Sequence, residues 1–241
     1  MATSTLKGKT EDFVRNLPWI GSLASSVKAG LRRLSFRSSS KYWEGRYAGG
    51  GTSGGGSEGA LAAFKAEFLN AFVLKHNIQS IVEFGCGDGR QLSLANYPRY
   101  VGLDVSKTAI SMCQKRFEND PTKSFFLYDQ GAFVDNHGIF RSDAALSLDV
   151  LYHLVEDRTF ETYMTHLFGS ADRYVVIYSS NRDEATDLPH VRHRHFTNWI
   201  QVHRPQWTQL PVIKNKYPFQ EQKGEGSFSD FFVFQNTGAL T

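Results

Sequence analysis

The sequence predicts one α/β domain with a doubly wound, mainly parallel seven-stranded sheet of Rossmann-like type, an antiparallel edge strand and an N-terminal helical arm. First, short apolar segments bounded by turn residues alternate with amphipathic segments through the middle of the chain. Second, a glycine-rich turn at 85–89 directly follows the first apolar segment. Third, no helical pattern separates the apolar segments 207–214 and 227–235, which predicts an antiparallel pair at one edge. The 241 residues, 41% hydrophobic, suffice for one ordinary core.

Residues 1–41 are predicted to form a basic arm, followed by the domain at 42–241. The arm carries eight Lys and Arg against two acids, whereas the other 200 residues carry 19 and 22. Apolar residues at helical spacing over 17–34 predict an amphipathic helix, which packs on its own domain, forms a dimer, or lies on an anionic membrane surface. We expect a cytoplasmic protein, with membrane association left open. The slightly acidic body disfavours nucleic acid as a partner.

The elements follow in chain order. Seven glycines in 47–59 predict a mobile entry loop or a plain linker. A helix is predicted over 60–77, with Leu61, Phe64, Phe68 and Phe72 on its buried stripe. Ser106 is the predicted cap of a later helix, and Thr197 that of the helix over 196–203. Other predicted elements are strands at 80–85, 99–104, 124–129, 143–150 and 173–180, and a helix at 159–168.

The turn at 85–89 predicts a ligand at the carboxyl ends of the strands. Its glycines are spaced two apart, and Arg90 stands where a dinucleotide-binding loop needs a third glycine. Acids end four successive predicted strands: Glu83, Asp104, Asp129 and Asp149. A carboxylate such as Asp104 can accept hydrogen bonds from a ribose diol. Together these features predict a pocket for a polar, cationic ligand that carries adenosine.

The segments VEFGCGDGRQL, GLDVS and LSLDVLYHL resemble the class I S-adenosylmethionine-dependent methyltransferases over about 80–180. KYWEGRYAGG, at 41–50, is similar to a segment that covers the cofactor in some members. The resemblance implies S-adenosylmethionine as cofactor, with S-adenosylhomocysteine as product, and looser similarity suggests bacterial sugar or polysaccharide O-methyltransferases. The cofactor-binding residues it implies are Glu83, Gly85, Cys86, Gly87, Asp104, Val105, Asp129, Gln130, Leu148 and Asp149.

A hydroxyl acceptor needs a base, because a protonated alcohol is a poor nucleophile. His153, four residues beyond Asp149, is the candidate general base, and Asp149 is the second predicted catalytic residue. The alternative for His153 is a helix-start histidine bonded to the backbone. A magnesium ion held by Asp149, His153, Glu156 and Asp157 is left open but not favoured, because the last two suit the first turn of a helix. No protein metal site is predicted, and no zinc set occurs.

The stretch HVRHRHF, 190–196, follows the fifth strand and is predicted to be an acceptor-recognition loop. In an extended chain His193 and His195 lie on one side, with Arg192 and Arg194 opposite. The alternative is pairing with Asp183, Glu184 or Asp187 within the same loop. The predicted acceptor-binding residues are Tyr152, His190, Arg192, His193 and His195.

The resulting hypothesis is methyl transfer to a hydroxyl of a sugar, a glycan precursor or another small polar molecule. N- or O-methylation of a natural product or protein is the first alternative. The second is a non-catalytic adenosyl-binding module that docks through its N-terminal helix.

Overall fold

The computed structural model describes residues 36–220, 222 and 225–238. The amphipathic helix predicted over 17–34 lies outside these residues. The helices are α1 (Ser39–Ala48), α2 (Gly59–Lys75), α3 (Lys107–Arg116), α4 (Asp157–Gly169) and α5 (Phe196–His203). The strands are β1 (Ile81–Phe84), β2 (Tyr100–Asp104), β3 (Lys123–Leu127), β4 (Ser142–Leu148), β5 (Ala171–Ser179), β6 (Trp207–Gln209) and β7 (Asp230–Asn236).

The seven strands form one sheet in the order β3-β2-β1-β4-β5-β7-β6. The first five strands in this order are parallel to one another, whereas β7 runs antiparallel to both β5 and β6. This topology confirms the predicted seven-stranded, mainly parallel sheet. The final two strands pair antiparallel as expected, with β7 inside the sheet and β6 at its edge. All five parallel strands direct their carboxyl ends to the same edge.

The central strands are buried because helices cover both faces of the sheet. All four residues of β1 are buried. Along β1 and β5 successive side chains point to opposite faces, and each set joins a separate core. One core contains Met164 and Leu167 of α4, and the other contains Leu69 of α2 and Ile110 of α3. Among the described residues, no helix combines the length and the apolar character that crossing a bilayer requires.

Two local predictions need correction. In α2 the buried face is Ala62, Lys65, Ala66, Leu69, Phe72 and Val73, so Leu61, Phe64 and Phe68 of the predicted stripe lie half-buried at its border. Thr197 as a helix cap is wrong, because α5 begins at Phe196 and His195 occupies the cap position. Thr197 instead exchanges hydrogen bonds with Asn181. The predicted cap Ser106 is confirmed, since its Oγ accepts a hydrogen bond from the Ala109 amide at 3.0 Å.

The predicted boundary between arm and domain, at 41/42, falls inside α1. Ser39, at the start of this helix, donates two hydrogen bonds to Glu156, at 3.1 Å from its amide and 2.8 Å from its hydroxyl. The start of α1 is therefore attached to the loop that precedes α4.

Candidate active site

A cavity of about 520 Å³ lies at the carboxyl ends of β1, β2 and β4. Its volume is within the range of small-molecule sites, and its position is where a doubly wound sheet binds ligands. The candidate base His153 also lines it. The structure brings to this cavity every residue that the resemblance implies for the cofactor: Glu83, Gly85, Cys86, Gly87, Asp104, Val105, Asp129, Gln130, Leu148 and Asp149.

The glycines of the first turn are required by backbone conformation and by crowding. Gly85 has φ 84° and Gly87 has φ 58°, in the left-handed region that side chains disfavour. A Cβ on Gly85 would lie 2.5 Å from Val150 Cγ2, and one on Gly87 would lie 2.4 Å from Ser53 Oγ. Glycine therefore allows two other segments to approach the turn closely.

Asp104 connects the end of β2 to this glycine turn. Its carboxylate accepts hydrogen bonds from the amides of Gly87 at 2.9 Å and Ser106 at 2.8 Å. The side chain is buried, and burial raises the pKa of Asp104 to about 6 although both hydrogen bonds favour the ionised form. The carboxylate is therefore held in one orientation at the cavity wall.

Glu83 is a second buried acid of the same wall. Its carboxylate accepts a hydrogen bond from the Tyr100 hydroxyl at 2.7 Å. Burial raises the pKa of Glu83 to about 7, and this effect outweighs the lowering by that hydrogen bond and by the charge of Lys65.

Asp149 combines a strained backbone with an ion pair. Its φ of 59° lies in the left-handed region. Lys65 Nζ contacts one carboxylate oxygen at 2.7 Å, and the hydroxyls of Tyr152 and Ser229 donate to the other at 3.0 and 3.1 Å. Lys65 is only 1% exposed, and its ammonium also lies 5.3 Å from the centre of the Tyr178 ring. Asp149 is therefore fixed by groups from α2, from the turn after β4 and from the residue before β7.

Sequence reasoning did not identify Lys65. The available signal was its spacing, because Lys65 follows Leu61 by four residues and precedes Leu69 by four on one helix. A lysine in line with apolar residues is buried only when it has a partner, and Asp149 is that partner.

Cys86 is a small wall of the cavity. It is buried and free, as is Cys113. A hydrogen bond to Cys113 and burial raise the pKa of the Cys86 thiol well above its ordinary value. The sulfur is therefore protonated and unsuited to act as a nucleophile.

The opposite side of the cavity consists of α1 and the glycine-rich segment 49–57. Trp43, Tyr47, Ser53 and Ser57 line the cavity from this side. Ser53 attaches the segment to the glycine turn, because its hydroxyl donates to Asp88 at 2.9 Å. The segment's role as an entry loop stays a prediction.

Glu44 attaches the same side to the start of α3. Its carboxylate accepts hydrogen bonds from the hydroxyls of Ser106 at 2.7 Å and Thr108 at 2.8 Å. These bonds lower the pKa of Glu44, so the contact is made by the ionised form.

His153 ends a short 3-10 turn, Leu151–His153, after β4. Its Nδ1 lies 2.9 Å from the carbonyl oxygen of His190, so Nδ1 carries the proton and Nε2 has the lone pair. Burial lowers the pKa of His153 to about 4, and the ring is therefore neutral at pH 7. In the structure His153 is therefore bonded to the backbone, which was the alternative to a catalytic role. This bond leaves Nε2 unprotonated, and that is the tautomer a general base needs.

In the 190–196 stretch the two arginines share one side as predicted, whereas His193 is buried and His195 is exposed. Arg192 and Arg194 lie on one side, where both contact Asp157 at 3.1 and 2.7 Å. His193 is buried on the other side and lies 2.7 Å from the Ser180 hydroxyl. The partner of the two arginines is thus an acid of α4, whereas the expected alternative was an acid of the same loop.

The structure does not bring the predicted acceptor-binding residues to the main cavity. Tyr152 bonds to Asp149, and the His195 amide donates to Asp183 at 3.1 Å. His190 lines a second, neighbouring cavity. Within the described ranges, none of Tyr152, His190, Arg192, His193 and His195 lines the main cavity.

The acids considered for magnesium have separate partners. Asp149 contacts Lys65, Glu156 accepts from Ser39, and Asp157 pairs with the two arginines. In the part of the chain that the structure describes, no group of three or more His, Cys, Asp or Glu side chains is arranged to hold a metal ion.

Comparison with known proteins agrees with this geometry. Residues 82–165 match the family model described as a methyltransferase domain. No curated protein sequence matches the chain. Among solved structures, the N-methyltransferase NodS from Bradyrhizobium japonicum WM9, in complex with S-adenosyl-l-homocysteine, is similar with a TM-score of 0.61 and 18% identity, over 83% of this chain and 99% of that one.

Two further solved structures share the fold. The methyltransferase domain of bacterial CtHen1 is similar with a TM-score of 0.55 and 19% identity, over 71% of this chain and 96% of that one. Magnesium protoporphyrin IX methyltransferase (ChlM) from Synechocystis PCC 6803, with bound SAH, gives a TM-score of 0.53 at 14% identity, over 72% and 82%. At these identities the likeness concerns the Rossmann-like architecture.

Proposed function

We propose that the chain is a class I S-adenosylmethionine-dependent methyltransferase that methylates a hydroxyl group of a small polar acceptor, such as a sugar or glycan precursor, with His153 as general base; the match of residues 82–165 to a methyltransferase domain supports this. The observation that carries the proposal is the position of His153. It lies at the wall of the strand-end cavity, with Nδ1 bonded to a carbonyl and Nε2 left to accept a proton.

The charges of the cavity suit a cationic cofactor. Glu83, Asp104 and Asp149 are three carboxylates on one wall, against the ammonium of Lys65. When bound, S-adenosylmethionine supplies a methyl group on a positively charged sulfonium. Asp104 would accept hydrogen bonds from ribose hydroxyls, and Asp149 would supply negative charge to the methionine side, where Glu83 is ionised only in part near pH 7. Val105, Asp129 and Gln130 would hold the adenine side.

His153 would take the proton of the acceptor hydroxyl. Burial keeps the imidazole neutral, so the base form is fully populated at neutral pH. The negative charge of Asp149 opposes this lowering and stabilises the imidazolium that forms when His153 accepts the proton. The remaining work is positioning, because methyl transfer is an in-line displacement that depends on alignment.

The test is His153→Ala in the full chain, with His203→Ala as matched control because His203 is an exposed histidine of α5. Transfer of labelled methyl from S-adenosylmethionine is measured on sugars, nucleotide sugars and amines, and S-adenosylhomocysteine affinity is measured by calorimetry. We expect His153→Ala to lower kcat roughly 100-fold or more on a hydroxyl acceptor, with cofactor affinity unchanged.

The pH profile gives an independent check. A base must be unprotonated, so the part of kcat/KM that depends on His153 is lost as the pH falls through the pKa of His153, at about 4. An unperturbed histidine would place that limb near pH 6.5, roughly its ordinary pKa. Full turnover by His153→Ala on a hydroxyl acceptor contradicts the assignment of the base.

N-methylation is the second candidate, and the same pKa favours it. A base with a pKa of about 4 is weak, and an amine acceptor needs only to be neutral before transfer. The structurally similar protein NodS is an N-methyltransferase. For an amine acceptor we expect His153→Ala to keep most of its rate above the pKa of the amine, which separates the two candidates.

A further inference from the structure

A second cavity, of about 650 Å³, lies beside the main one. Trp43 and His153 line the main cavity, whereas Tyr42 and His190 line the second. Tyr42 precedes Trp43 in α1, and His153 bonds to the His190 carbonyl at 2.9 Å. The two cavities therefore share one wall.

Stacked rings make up part of this wall. The rings of Tyr42 and His190 are 4.3 Å apart at 12°, and those of His190 and His153 are 5.7 Å apart at 13°. The column runs from the second cavity to the proposed general base. A group bound in the second cavity is thus separated from the methyl-transfer cavity by the thickness of this column.

The second cavity is cationic. Arg37, Lys41 and Arg46 line it, and none of them takes part in an ion pair among the described residues. Arg46 Nε donates to the carbonyl of Thr52 at 2.6 Å, so its guanidinium is held in place by a neutral group. Glu44, the acid of the same helix, bonds to Ser106 and Thr108 on α3. Three positive charges therefore face one cavity without a carboxylate partner in the described part of the chain.

We propose that the second cavity binds a phosphate group carried by the methyl acceptor. Arginine matches phosphate oxygens with two parallel hydrogen bonds, and lysine supplies a point charge. Three cations suit a multiply charged phosphate or diphosphate better than a single carboxylate. Leu188 and the Tyr42 ring give an adjacent apolar surface for the acceptor's ring. The proposal rests on the proposed function, and it defines the acceptor as a phosphorylated hydroxyl compound.

The experiment uses the full chain loaded with S-adenosylhomocysteine and inorganic pyrophosphate as probe. Pyrophosphate affinity is measured by calorimetry for the wild type, for Arg37→Gln/Lys41→Gln, and for the control Lys75→Gln/Lys115→Gln. The control removes two positive charges from exposed positions at the ends of α2 and α3. We expect the first pair to weaken pyrophosphate binding at least roughly tenfold and the control pair to change it less than about twofold.

S-adenosylhomocysteine affinity is measured first and reports only on the proposed function. If the wild type does not bind it, the proposed function fails, whereas pyrophosphate binding still decides whether the second cavity is an anion site. Equal weakening by both double variants, or no pyrophosphate binding at all, overturns the phosphate site.

Vesicles of neutral and of anionic phospholipid distinguish a membrane surface from a soluble phosphate. The proposal is also overturned if the protein binds anionic vesicles through Arg37 and Lys41 but does not bind pyrophosphate. The anion recognised by the second cavity would then be a lipid surface. Methylation of a soluble phosphorylated sugar by the wild type supports the phosphate site if Arg37→Gln/Lys41→Gln alters only the KM. We expect this variant to raise the KM for that sugar tenfold or more and to leave kcat unchanged.

Discussion

The two sides of the main cavity are held in place by different interactions. The strand side carries Glu83, Asp104 and Asp149, whose positions follow from the register of buried parallel strands. The other side consists of α1 and the glycine-rich segment, which Ser39, Glu44 and Ser53 attach through side-chain hydrogen bonds to distant residues.

The two sides of the cavity therefore differ in how readily they can open. A backbone ladder inside two hydrophobic cores opens only with the fold, whereas a few side-chain hydrogen bonds between segments can open without it. If the glycine-rich segment is the predicted entry loop, we expect the strand side to keep its charges in place when the other side opens. Substitutions should accordingly affect stability on the first side and ligand affinity on the second.

The largest effect is expected for Lys65→Met on the strand side. The change keeps the length of the side chain but leaves the Asp149 carboxylate without its ammonium partner. We expect a loss of about 3 kcal/mol in the free energy of unfolding, measured by urea denaturation, because breaking a buried ion pair leaves an uncompensated charge inside the protein. Lys75→Met, at an exposed position of the same helix, should cost less than about 0.5 kcal/mol.

A second variant tests the cause of that loss. Lys65→Met/Asp149→Asn removes both charges, so it should recover part of the stability. If the double variant is less stable than Lys65→Met, the ion pair does not explain the loss.

A medium effect is expected from Glu83→Gln in the cofactor-free protein. The folded pKa of Glu83 is raised to about 7 from an ordinary 4.5. Its contribution to stability is therefore fully present below about pH 4.5 and lost as the pH rises through 7. Between pH 5 and pH 8 the wild type should lose on the order of 2 kcal/mol relative to Glu83→Gln in urea denaturation. The exposed Glu118→Gln should follow the wild type at both pH values.

The smallest effect is expected on the other side of the cavity, from Glu44→Ala. The change removes the carboxylate that receives hydrogen bonds from Ser106 and Thr108. We expect S-adenosylhomocysteine affinity to fall roughly 5–10-fold, as for the loss of about one charge-assisted hydrogen bond. Unfolding should change by less than about 1 kcal/mol. Glu67→Ala, exposed on α2, is the control, and equal losses of affinity in the two variants would refute a specific attachment.

The strand side was predictable from the sequence. Alternating apolar and amphipathic segments fix the order of elements, and parallel strands bring their final residues to one edge. Asp104 and Asp149 therefore converge without knowledge of any contact. The glycine turn was also predictable, because only glycine tolerates the backbone that Gly85 and Gly87 adopt.

The attachments of the other side were not predictable. Ser39 and Glu156 are 117 positions apart, and nothing in their local sequence relates them. The same holds for the pairing of Arg192 and Arg194 with Asp157, since nearer acids in the loop were equally plausible partners. Side-chain contacts between segments distant in sequence depend on tertiary packing, which periodicity does not report.

The location of β7 has a consequence for synthesis on the ribosome. Among the described residues this strand comes last in sequence order, but it lies between β5 and β6 in the sheet. Ser229, immediately before it, donates to Asp149 at the cavity wall. While residues 229–236 are still inside the exit tunnel, β5 has an open edge and Asp149 lacks one of its donors. A nascent chain that has already released its first five strands therefore carries an incomplete pocket, and the site is completed only when residues 229–236 leave the tunnel.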